Sequence, residues 1–412
     1  HSRWLQYSVL ALLIVVVLLA TSCAGPATPT STEPGITPAT SQPSAVPETS
    51  WPVTQFSPGQ HLRFERISLE QGLSLSTVLC MLQDSQGFMW FGTDDGLHKY
   101  DGYTFTVYKH DPENPNSVGS NGISALLEDD SGTLWVGTRG GGVDRYDRDL
   151  DQFIHYRNDP QDSASLSNDD VTAIYQDQDG ELWIGTSGGL DRLVLSHRDV
   201  SQTEAEGSDQ ENARFIHYQH DPDDPNSLSS NVVTVIYEDQ DGALWIGTRG
   251  GGLNKLVLSE AEGSDRESER WWHYQNDPND PHSLSHDNVS AVSEDQSGML
   301  WVGTWGGGLD RLVQSRGDAA QTEADGSDQE NEHFVHYHHD PDNPESLSSD
   351  EIRALYHDRD GVLWIGTYGG GINILDREKD NFIQFLNDPG DPHSLTSDIV
   401  WSIFQDREGV LW

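Results

Sequence analysis

The sequence predicts an all-β fold, a β-propeller of four-stranded antiparallel blades, and three observations carry that expectation. First, a Trp followed two residues later by Gly-Thr returns at Trp90, Trp135, Trp183, Trp245, Trp301 and Trp364, and a seventh Trp closes the chain at Trp412. The spacing is 45 to 48 residues wherever no insertion intervenes. Second, each Trp follows a stretch of alternating apolar and polar residues and a turn ending in Gly, Asp-Gly or Ser-Gly in five of the seven copies, the pattern of a hairpin of short strands. Third, no segment carries a convincing helical period, so an α/β solenoid is disfavoured. A unit that repeats at this period with four strands per copy is a propeller blade.

In chain order, residues 1–25 come first. Arg3 precedes an apolar run from Val9 to Ala20, too short for an ordinary membrane span but right for an export signal. Small residues and Cys23 follow. The stretch resembles a bacterial lipoprotein signal, in which the cysteine would be lipidated, although Ala20 stands where that motif has Leu. A plain signal peptide and an uncleaved anchor are the alternatives, and all three export the chain. The sequence begins without Met, which suggests a fragment or an incomplete gene. Residues 26–59 are rich in Pro, Ser and Thr with no apolar period, and read as a disordered tether.

Residues 60–412 form the propeller. Taking the third copy as the example, VTAIYQD (171–177), LWIGT (182–186), LDRLVL (190–195) and FIHY (215–218) are its four strands. A large apolar side chain at one fixed point is what a sheet needs when it packs face to face on its neighbours, so the Trp is structural. The glycine after it lets the next blade come close. Six complete blades and a partial seventh result. The lone strand HLRFERI (61–67) is expected to close the ring at the outer position of blade seven. The insertions 196–214, 259–270 and 315–333 are acidic, weakly hydrophobic and expected to be disordered. Two of them are near copies and carry no assigned activity. Cys80 sits in the apolar run STVLCML and reads as a buried structural thiol.

Asp and Glu total 68 against 23 Lys and Arg, a net charge of −45. Nucleic acid and anionic lipid are disfavoured partners, because both require a basic surface. The acidity serves solubility, with a chelated cation such as calcium as the lesser alternative. The DPxDP linkers lack the dense loop pattern of a calcium site and read as rigid turns with Asp side-chain hydrogen bonds. His155, His217, His273 and His336 recur once per blade on the fourth strand. They are too far apart for a metal, and packing or surface roles are expected. No cofactor is implied.

The opening WFGTDDGLHKYDGYTF (90–105), the D-x-x-G-x-L-W-I-G-T-x-G-G-G-L units and the NDPxDxxSLSxxxV linkers together resemble the two-component regulator propeller repeats, over about residues 60–412. The resemblance implies the extracytoplasmic sensor region of a hybrid histidine kinase, with any kinase beyond residue 412. It also implies signal input, often from carbohydrate breakdown products.

One position varies while its flanks stay constant. The residue after Gly-Thr reads Asp94, Arg139, Ser187, Arg249, Trp305 and Tyr368. Blade topology puts the loop between the second and third strands on the face of the blade-to-blade linkers, near the channel. Arg suits carboxylates and phosphates, and Trp and Tyr offer faces for sugar rings, so these six are the candidate ligand-binding residues. Drift at a solvent-facing loop is the alternative. Three functions compete. The first is a ligand sensor signalling to a kinase module in the same polypeptide or a partner. The second is a free-standing lipoprotein binding carbohydrate or a protein. The third is a propeller lyase or hydrolase, for which no catalytic residue is assigned, since Asp and Glu fall mostly in repeated turns. Membrane contact is expected through the N-terminus alone, and a homodimer stays open.

Overall fold

The protein's structure, a computed structural model, describes residues 62–67, 72–73, 77–195, 213–258, 269–314, 332–377 and 379–412. Six four-stranded antiparallel sheets follow one another along the chain, and in each the strands pair in sequence order. Blade one spans Cys80–Tyr108, blade two Ile123–Tyr156, blade three Val171–Tyr218, blade four Val233–Tyr274, blade five Val289–Tyr337 and blade six Ile352–Phe385. Blade three shows the pattern: Val171–Gln176, Leu182–Thr186, Gly189–Leu195 and Ala213–Tyr218 are its strands.

The second strand of every blade is buried on both faces, which explains its unbroken apolar character. Trp90, Trp135, Trp183 and Trp245 are among the largest fully buried side chains. Each such side chain contributes about 1.5–3 kcal/mol of transfer free energy. Six hydrophobic clusters lie between successive blades, the last joining Trp364 and Ile374 of blade six to Val400, Ile403 and Leu411. The glycine after each Trp is the point of closest approach. A Cβ on Gly137 would sit 2.7 Å from Val171 of the next blade, on Gly185 2.6 Å from Val233, and on Gly303 2.5 Å from Ile352. The same contact recurs at Gly366, whose Cβ would meet Val400 at 2.8 Å.

A second recurrent contact shows how the ring closes. The amide just after the turn Asp donates to the side chain just before the turn Asp of the next blade. Asp130 N thus meets Gln176 Oε1 at 2.8 Å, Gln178 N meets Glu238 Oε2 at 2.8 Å, and Gln240 N meets Glu294 Oε2 at 2.9 Å. Arg359 N continues the series to Gln405 Oε1 at 3.1 Å, and Arg407 N returns it to Gln83 Oε1 of blade one at 2.7 Å. Trp412 packs on Phe91 with ring centroids 5.7 Å apart. Residues 399–412 thus stand between blades six and one, as a short hairpin with Gln405 opposite Leu411.

The expected closing strand is corrected in one respect. Residues 62–67 form no strand, because the described residues include no third strand of blade seven for them to pair with. They do take the outer place. Phe64 N donates to His393 O at 2.8 Å, as Phe215 N does to Ala164 O in blade three, and Leu62 and Phe64 pack on the cluster of Trp364. The insertions are also shorter than read from sequence. Leu195 pairs with Ala213, Leu258 with Glu269 and Gln314 with Glu332, so the fourth strand begins two residues before each expected boundary. The rest of the insertions, the tether 26–59 and Cys23 lie outside the described residues. Cys80 is half-buried rather than fully buried, beside Gly92 and Ile123, and burial pushes its thiol up to about 12.

Candidate ligand-binding site at the channel mouth

The constant residues of the repeat are consumed by the scaffold. The Trp indole donates to the Asp six residues before it, Trp183 to Asp177 at 2.7 Å and Trp364 to Asp358 at 2.8 Å. The other oxygen of Asp177 accepts the amides of Asp179 at 3.1 Å and Glu181 at 2.8 Å, closing the hairpin turn. The Thr hydroxyl closes the next turn, Thr138 onto Gly142 O at 2.8 Å. Within the glycine run, Gly140 N and Gly142 N both donate to Asp169 O of the following blade, at 3.0 and 2.9 Å. Gly142 has φ 79°, a conformation glycine adopts without strain.

The fourth-strand histidines are structural as well. His155 Nδ1 lies 2.6 Å from Asp144, His217 2.5 Å from Asp191 and His336 2.7 Å from Asp310, and all three carboxylates are fully buried. The bond to Asp144 raises the His155 pKa against the opposing effect of burial, and Asp310 does the same for His336. Blade four has Asn254 opposite His273, where burial lowers the histidine pKa. The DPxDP linkers use Asp as expected of turns, Asp159 Oδ1 accepting Gln161 N at 2.9 Å and Asp162 Oδ1 accepting Ala164 N at 2.9 Å.

Against this scaffold the residue after Gly-Thr is held by its backbone. Arg139 N donates to Gly122 O, Arg249 N to Val232 O, Trp305 N to Asn288 O and Tyr368 N to Glu351 O, at 2.8–2.9 Å. The same four residues bridge to the next blade, opposite Asp170, Asn288, Glu351 and Ile399. Their side chains divide the mouth. Arg139 pairs with Asp94 at 2.7 Å, so these two candidates neutralise each other. Ser187 bonds Asp170 at 3.2 Å. Trp305 and Tyr368 lie together, with ring centroids 5.4 Å apart, and Tyr368 is 40% exposed. Arg249 is exposed.

Sequence reasoning missed two residues that complete the cluster. They occupy the second position of the first strand of a blade, as defined in blades two to six. In blades two, four and five it is Ser124, Thr234 or Ser290, whose hydroxyl donates to a carbonyl of the next blade at 2.6–2.7 Å. In blade six it is Arg353 and in blade seven Trp401. The Arg353 guanidinium carbon stands 3.3 Å from the Trp305 ring centroid, 4.5 Å from that of Trp401 and 5.6 Å from that of Tyr368. Burial lowers its pKa to about 10, with Arg249 and Arg139 adding repulsion, so it remains charged at neutral pH. Aligning this one position through the repeats would have exposed the departure from small hydroxyls. Another concavity, among the turn hairpins at Gly132, Thr133 and Tyr146, is taken up by Arg148, which pairs with Asp84 at 2.8 Å and Glu128 at 2.7 Å.

Six segments, residues 72–95, 117–140, 165–188, 227–250, 283–306 and 346–369, match the two component regulator propeller family. Each ends one residue past the variable position. A histidine kinase of Formosa agariphila is 44% identical over 55 residues, 13% of this chain and 4% of the kinase. The extracellular domain of a hybrid two-component system from B. thetaiotaomicron is 27% identical with a TM-score of 0.63, covering 85% of this chain and 40% of that one. A surface component of the type-IX secretion system of Porphyromonas gingivalis, 16% identical with a TM-score of 0.54 over 81% of this chain and 46% of that one, shares the fold. The chain thus spans well under two thirds of these proteins. One match falls in each complete blade, and the chain is a β-propeller built of two-component regulator propeller repeats.

Proposed function

We propose that this propeller is the ligand-sensing region of a two-component signalling protein, lies outside the cytoplasm, and reads a carbohydrate-derived ligand at the channel mouth. The observation that carries the reading is the aromatic cluster of Trp305, Tyr368 and Trp401 around Arg353, set in a scaffold that otherwise repeats itself. Flat aromatic faces beside a hydrogen-bonding cation suit the apolar face and hydroxyl edge of a sugar. The extracellular domain from B. thetaiotaomicron, alike in fold and 27% identical, supports the placement. Cys23 would supply the membrane anchor, and a histidine kinase module in the same polypeptide or in a partner would receive the signal.

A thermal-shift screen against neutral and acidic oligosaccharides tests this. A ligand that binds the folded state alone raises the melting temperature by mass action, about 2.7 kcal/mol at a hundredfold excess over Kd. Trp305→Ala should abolish that shift while leaving the unliganded melting temperature nearly unchanged. A protective sugar that is indifferent to both Trp305→Ala and Tyr368→Ala would place the site elsewhere. The absence of protection by any sugar would turn the reading toward a protein ligand.

A further inference from the structure

We propose that Arg353 reads an anionic substituent, so that the ligand is an acidic sugar bound through its carboxylate or sulfate; this rests on the reading of the mouth as a sugar site. The argument starts from what Arg353 lacks. Its face is covered by Trp305 and its neighbourhood filled by Trp401 and Tyr368. Such contacts engage the flat face of a guanidinium and leave its in-plane N–H donors free. Among the described residues no carboxylate pairs with it, and its buried Nε has no hydrogen-bond partner. Glu351 lies near enough to favour its charge without bonding it.

A half-buried cation without a counter-ion is costly, and this chain has 68 acidic residues from which one could be drawn. Three other arginines take theirs, Arg139 from Asp94, Arg148 from Asp84 and Glu128, and Arg377 from Asp295 at 3.0 Å. Arg249, on the same mouth, likewise has no partner among the described residues, and it repels Arg353. Two guanidinium groups that pair with no carboxylate among the described residues therefore stand within electrostatic reach of each other in a chain of net charge −45. At the Arg353 position, Ser124, Thr234 and Ser290 of blades two, four and five bond the neighbouring blade. Arg353 makes no such bond, so the scaffold does not need it. The geometry fits a pyranose stacked on exposed Tyr368 with its acid group on the open edge of Arg353 and Arg249 beside it.

The probes are trigalacturonate and its fully methyl-esterified form, which differ in charge and hardly in shape, with an oligosaccharide sulfate as the third arm. The acid is expected to bind the chain at least tenfold more tightly than the ester at low salt, about 1.4 kcal/mol. Arg353→Met keeps the apolar stem between the indoles and should erase that preference. Arg249→Gln, at an exposed site that leaves folding untouched, should reduce it. A preference for the sulfate over the uronate, equally dependent on Arg353, assigns the sulfate as the source of the anion. Equal affinity for acid and ester, or a preference unchanged in both variants, overturns the inference while the sugar reading stands. Malonate that protects the wild-type chain but not Arg353→Met, with no sugar protecting either, sinks the sugar reading and retains the anion site. Failure of malonate and every sugar overturns both.

Discussion

The two sides of the channel mouth are built on one backbone and differ in kind. Along blades two, four and five the second position of the first strand carries Ser124, Thr234 and Ser290, each spent on a hydrogen bond to the next blade. Along blades six and seven it carries Arg353 and Trp401, which touch other side chains of the mouth. The glycine contact to the next blade is the same on both sides, 2.7 Å at Gly137 and 2.8 Å at Gly366 for an added Cβ. The scaffold is therefore indifferent to what stands at the mouth, and the departure on one side serves something other than folding.

That contrast can be broken most violently at the scaffold. Gly303→Val would drive a side chain into Ile352, whose Cγ2 and Cβ stand 2.5 and 3.0 Å from an added Cβ, and should cost about 3 kcal/mol or more. Urea unfolding would measure it. A small loss would mean the blades slide apart easily. The next effect compares two tryptophans. Trp183→Phe deprives the buried Asp177 of a donor and should destabilise by about 2–3 kcal/mol, whereas Trp305→Phe should stay within about 0.5 kcal/mol. Similar losses at both would erase the distinction between scaffold and mouth.

The third effect is pH-dependent. His336 has its pKa raised by Asp310, so its contribution is fully present below 6.5 and is lost as pH rises through the higher folded value. His336→Gln should therefore cost about 1.5 kcal/mol in mildly acidic buffer and progressively less in alkaline buffer. A penalty that grows with pH would contradict the pairing. The smallest effect sharpens the comparison within one position. Thr234 bonds Val289 O at 2.7 Å, whereas the buried hydroxyl of Thr172 has no partner. Thr234→Val should lose about 1 kcal/mol and Thr172→Val should gain about as much, read as melting shifts of opposite sign. Shifts of one sign would show that the hydroxyls at this position do not act through these bonds.

What the sequence revealed follows from periodicity. Trp183, Gly185 and the glycine run repeat because each meets the same partner in every blade, so their spacing alone announces strands and packing. The role of the turn Asp as partner to the indole was hidden, since Asp-Gly explains itself as a turn without it. The pairing of His217 with Asp191 was hidden because the two residues lie far apart in sequence with a variable insertion between them. The variable position after Gly-Thr could be read because its neighbours do not change. Arg353 could not, because its partners Trp305 and Trp401 come from the blades on either side, 48 residues away in both directions, and an isolated Arg in an alternating strand looks like any solvated residue.

The backbone attachment of the residue after Gly-Thr has a further consequence. Arg139, Arg249, Trp305 and Tyr368 are fixed by their amides, which every amino acid except proline supplies. Each of these four blades thus contributes one letter to the mouth, and changing a letter leaves the backbone that holds the others in place. Recognition can be rewritten one symbol at a time on a page that stays the same, which lets a single repeat serve many messages.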